Sequence, residues 1–70
     1  MNAKEMFEDK GYKLMNKNKR EIWYKKGNLN ITFLIQCKCY CIYNVEKNNP
    51  VIDINEHKAI QKQIEELGWE

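Results

Sequence analysis

The sequence predicts an α+β fold: a single small domain, ordered αββββα, with an antiparallel sheet packed by an N-terminal and a C-terminal helix. Three observations predict it. A capping box opens each end segment, the turn signal Gly27-Asn28 separates two apolar runs, and period-two alternation fills the middle of the chain. The 70 residues form one domain, 1–70, without repeat, low-complexity tract or linker. A core of this size rarely supplies more than roughly 3–5 kcal/mol, so a disulfide, a metal or self-association often supplements it.

Asn2 caps the first helix and Glu5 sits at the capping-box position, with Ala3, Met6 and Phe7 as the apolar stripe and Gly11 beyond the end. Tyr12 to Met15 reads as a first strand, Asn16-Lys17-Asn18-Lys19 as a turn, and Arg20 to Lys25 as a second strand. A two-residue turn at Gly27-Asn28 then sets Lys26 opposite Leu29, Tyr24 opposite Ile31, Trp23 opposite Thr32 and Ile22 opposite Phe33.

From Ile31 to Val45 every odd position is apolar. One straight strand of about 14 residues would run roughly 46 Å, against a radius of gyration of roughly 11 Å for a compact chain of this length. Either the strand overhangs toward a second chain or it turns back at Gln36-Cys37-Lys38, and the turn is preferred. A three-residue loop there keeps the phase and sets Ile35 opposite Cys39, Phe33 opposite Cys41 and Ile31 opposite Tyr43. After Asn48-Asn49-Pro50, Asp53 and Glu56 form the second capping box, and Ile54, His57, Ile60, Ile64 and Leu67 recur at helical spacing up to Gly68.

Twelve basic residues against ten acidic ones give a net charge of +2, without the excess of a dedicated nucleic-acid binder. No apolar run approaches the roughly 20 residues of a membrane span, and the N-terminus has no signal-peptide core, so a cytoplasmic chain with no membrane contact is expected. The three cysteines are odd in number and clustered, which points to reduced thiols.

Cys37, Cys39 and Cys41 are weak candidates for metal ligands, with His57, the only histidine, as the fourth. Structural zinc sites use Cys-x2-Cys knuckles, whereas Cys-x-Cys in a strand sends its sulfurs in parallel off one face. The cysteines therefore read as small hydrophobes continuing the alternation, and no metal or cofactor is expected. The chain has no serine, no glycine-rich phosphate loop and no assembled carboxylate pair or Cys-His dyad, so no catalytic residue is assigned and an enzyme is not expected.

A surface is the better candidate. With the three-residue loop, the sheet face away from the helices carries Trp23, Leu34, Tyr40 and Ile42, an apolar cluster of the kind found at partner or homodimer interfaces. Lys17, Lys19, Arg20 and Lys25 make the first hairpin locally basic, and with Trp23 and Tyr40 they supply the alternative of a nucleic-acid or nucleotide contact. A Cys-rich metal-binding protein is the second alternative.

The opening Ala3-Lys4-Glu5-Met6-Phe7 with Gly11-Tyr12, and the ending Lys58-Ala59-Ile60-Gln61-Lys62-Gln63-Ile64-Glu65-Glu66-Leu67-Gly68-Trp69, resemble small uncharacterised phage and prophage accessory proteins of low-GC Gram-positive bacteria. Similar proteins often carry an apolar residue, typically leucine, where this chain has His57. The resemblance transfers no catalytic residue. It implies a context: a non-enzymatic phage product acting by stoichiometric binding to a host or phage protein, in its most specific form an anti-CRISPR-type inhibitor of host defence.

Overall fold

The structure is a computed structural model that describes residues 1–46 and 49–69. Helix α1 (Ala3–Asp9) is followed by strands β1 (Lys13–Lys17), β2 (Glu21–Lys26), β3 (Leu29–Leu34) and β4 (Cys39–Asn44), and then by helix α2 (Ile54–Leu67). The strands form one antiparallel sheet in the order β1-β2-β3-β4. The expected αββββα architecture is therefore the one observed. Of the expected Asn48-Asn49-Pro50 breaker, Asn48 lies outside the described residues.

Both helices begin as their capping boxes dictate. Asn2 accepts from the Glu5 amide at 2.8 Å while Glu5 accepts from the Asn2 amide at 2.9 Å, and Asp53 and Glu56 repeat the exchange. A helix of 7 residues does not persist alone, and tertiary contacts hold α1 in place. The Ala3 amide donates to the Glu66 carboxylate of α2 at 2.7 Å, and Phe7 stacks on Tyr24 with ring centroids 4.1 Å apart.

The hairpins differ in how closely they follow the alternation. β2 and β3 pair in the expected register around Gly27, whose φ of 58° is the left-handed geometry that a primed turn needs. β1 is longer than Tyr12 to Met15 and shifts register between Leu14 and Asn16, leaving Met15 as a bulge.

The turn between β3 and β4 lies where expected but spans four residues, 35–38, with Lys38 at a φ of 53°. Leu34 thus faces Cys39, Phe33 faces Tyr40, Thr32 faces Cys41 and Ile31 faces Ile42. The expected pairings slip by one residue, and a slip of one inverts the faces of a strand. Tyr40 and Ile42 point to the helix side, Tyr40 with its ring 5.6 Å from Phe33, and the odd residues of β4 point away.

Phe7, Tyr12, Ile22, Tyr24, Leu29, Ile31, Phe33, Ala59 and Ile60 form the core between sheet and helices. The buried stripe of α2 is rotated from the expected one: Glu56, Ala59, Ile60 and Gln63 are buried, whereas Ile54 is 64% exposed and His57 is exposed. Burying Glu56 carries a large desolvation cost, and three donors offset it. The Tyr12 hydroxyl donates to its carboxylate, Lys26 Nζ lies 3.0 Å away, and the Asp53 amide donates at 3.0 Å. Gln63 accepts from the Tyr24 hydroxyl at 2.9 Å. Polar residues with fixed partners thus occupy positions that a purely apolar stripe would have given to Ile54 and His57.

Candidate functional site

Because both helices pack on the side of Ile22, Tyr24, Ile31 and Phe33, the other side of the sheet is open. Alternation places Glu21, Trp23 and Lys25 of β2, Asn30, Thr32 and Leu34 of β3, and Cys39, Cys41 and Tyr43 of β4 on that open face. Its centre is fixed rather than loose. The Trp23 indole N–H donates to Asn30 Oδ1 at 2.9 Å, and Asn30 Nδ2 donates to the Asn28 carbonyl at 3.3 Å. Asn30 is only 2% exposed although no helix covers it, while Tyr43, opposite it on β4, is 57% exposed. The result is a preset aromatic and polar platform.

The residues expected to share one interface divide into two groups. Trp23 and Leu34 lie on the open face, whereas Tyr40 and Ile42 lie on the helix side of the edge strand, Tyr40 still 41% exposed. The open face gains Tyr43 and Cys41 in their place. Relative size would have revealed this, since tyrosine and isoleucine at positions 40 and 42 bury more apolar surface than cysteines at 39 and 41.

The basic candidates also divide. Lys17, Lys19 and Arg20 are exposed at the tip of the β1–β2 hairpin, where the Asn18 side chain accepts from the Arg20 and Glu21 amides. Lys25, half-buried on the open face beside its register partner Lys13, lies roughly 15 Å from that tip, toward the other end of β2. Charge is nevertheless layered. Residues 12–46 carry seven basic side chains and two acidic ones, a net of +5, whereas the described residues 1–11 and 49–69 carry four basic and seven acidic, a net of −3.

All three thiols are free and exposed, Cys37 in the connection and Cys39 and Cys41 on the open face. Partial desolvation by its neighbours, the adjacent thiols of Cys37 and Cys41, and a hydrogen bond with Cys37 push the exposed Cys39 thiol above its ordinary range, the reverse of an activated nucleophile. His57 is on α2, across the sheet from Cys39 and Cys41, and lines a shallow groove with Met6 and Ile54. Among the described residues no three His, Cys, Asp or Glu side chains converge to hold a metal ion. The native protein is expected to react with three equivalents of a chromogenic disulfide reagent without denaturant, Cys39 most slowly near neutral pH. Fewer than three equivalents would contradict this exposure.

Glu56 is the one buried carboxylate among the described residues. Burial pushes its pKa up, but hydrogen bonds from Tyr12, the Asp53 amide and Lys26 prevail and hold it below the usual carboxylate range. Three donors engage both of its oxygens, so it ties α2 to the sheet rather than offering a base to a substrate. No helix among the described residues is long and apolar enough to cross a membrane. No protein-family model, curated protein sequence or solved structure matches the chain at a significant level.

Proposed function

We propose that this chain is a non-enzymatic accessory protein of phage or prophage type that acts by stoichiometric binding to an acidic host protein, with inhibition of host defence as its most specific form. The reading rests on the open sheet face, where Trp23, Leu34 and Tyr43 stand without a covering helix and Lys13 and Lys25 outnumber Glu21. Tryptophan and tyrosine are the residues enriched at interface hot spots, and fixing Trp23 through Asn30 lowers the ordering cost of binding. The phage context rests on the resemblance of the two chain ends.

Affinity copurification from a nuclease-treated lysate of a low-GC Gram-positive host, compared with a folded Trp23→Ala/Tyr43→Ala variant, tests the reading. A stoichiometric acidic protein retained by the native chain and lost with the variant is expected. Recovery of the chain alone overturns it.

A second reading is single-stranded nucleic acid, favoured by Lys13 and Lys25 paired on the same face as Trp23. It requires a bound oligonucleotide in the untreated lysate and an affinity that falls steeply with salt.

A further inference from the structure

The two edges of the sheet differ in a way that the open face does not explain. β1 is guarded as exposed edges usually are, by the bulge at Met15 and by Lys13 and Lys17. β4 has no such guard: Cys39-Tyr40-Cys41-Ile42-Tyr43-Asn44 holds no charge, no proline and no glycine, and its register with β3 is unbroken.

The direction of its free backbone groups follows from one bond. The Val45 amide donates to the Asn28 carbonyl at 2.9 Å, so residues 45, 43, 41 and 39 bond inward to β3. The N–H and C=O of Tyr40 and Ile42 therefore point outward, and among the described residues no backbone hydrogen bond reaches them.

We propose that a second copy of this chain occupies that edge, β4 pairing antiparallel with the β4 of its twin to make one continuous eight-stranded sheet. The occupant is a twin because the strand is its own complement: its outward amides and carbonyls recur at the same spacing in reverse, and its zero charge brings no repulsion to the seam. The guarded β1 edge closes the assembly at two copies instead of a filament. Antiparallel pairing runs the twofold perpendicular to the sheet, so all four helices lie on one side and both open faces on the other. Tyr40 on the helix side and Tyr43 on the open side, 41% and 57% exposed, flank the seam on its two faces.

Light scattering of the full chain, from nanomolar to high-micromolar concentration, tests this. The expected mass is twice the 8.5 kDa of one chain, returning to one chain on dilution. Tyr40→Lys, which puts a charge on the exposed edge, is expected to halve the mass with an unchanged circular dichroism spectrum, whereas Met15→Lys on the far edge leaves the dimer intact. In the dimer the Tyr40 and Ile42 amides are expected to exchange hydrogen at least about tenfold more slowly than in the dilute monomer. A single-chain mass throughout, or a dimer in which those two amides exchange as open ones, overturns the proposal.

Discussion

Glu56→Ala is expected to leave a large part of the population unfolded at room temperature. The substitution removes the reciprocal half of the α2 capping box, worth about 1 kcal/mol, and the hydrogen bond from buried Tyr12 to the charged carboxylate, worth about 1.5–3 kcal/mol net of solvation, while the partly exposed Lys26 adds little. A net loss of about 2–4 kcal/mol consumes most of the roughly 3–5 kcal/mol that a core of this size supplies. Glu56→Gln keeps the volume and an acceptor for Tyr12, so its loss is expected to be smaller. Chemical denaturation of the two variants measures the difference, and equal midpoints for native protein and Glu56→Ala would remove the network from the account of stability.

The same carboxylate makes stability depend on acid. Its folded pKa lies below the ordinary 4.5, and that of Asp53, held down by Lys10 at 2.6 Å, lies below 3.8. The unfolded chain therefore binds protons first as pH falls. The contribution is complete above about pH 5 and is lost as pH drops through the folded values. Glu56→Gln is expected to flatten that acid limb.

Phe33→Ala is the other large effect. Phe33 is fully buried, with the rings of Phe7, Tyr24, Tyr40 and Trp69 within 6.5 Å of its own, so truncation opens a cavity between α1, strands β2 and β4, and the turn after α2. The usual cost of about 3–5 kcal/mol equals the whole stability of a chain this small. Thermal unfolding followed by circular dichroism is expected to lose its cooperative transition, while Phe33→Leu keeps one. A sharp native-like melt for Phe33→Ala would place the centre of the core elsewhere.

Elements with local chemical signals were legible in the sequence. Asn2 with Glu5, Asp53 with Glu56, and Gly27-Asn28 each satisfy backbone groups or supply a conformation with residues adjacent in the chain. What escaped depended on partners distant in sequence. The bulge at Met15 has no glycine to mark it, and Lys38 enters the left-handed region at a cost of about 1–2 kcal/mol that no sequence pattern announces. That one extra residue exchanged the faces of β4 and separated Tyr40 and Ile42 from Trp23 and Leu34. Glu56 and Gln63 look like solvent-facing positions until Tyr12 from the α1–β1 connection and Lys26 and Tyr24 from the sheet arrive, and their burial turned Ile54 and His57 outward.

The division of charge between the sheet segment and the helical segments gives the molecule an electric dipole out of proportion to its net +2. An approaching anionic surface exerts a torque on such a body before contact and turns it sheet first. The orientational search that slows most protein encounters is then partly completed during diffusion. Dissolved salt shortens the reach of that torque and slows capture, but hardly touches the short-range contacts that govern escape.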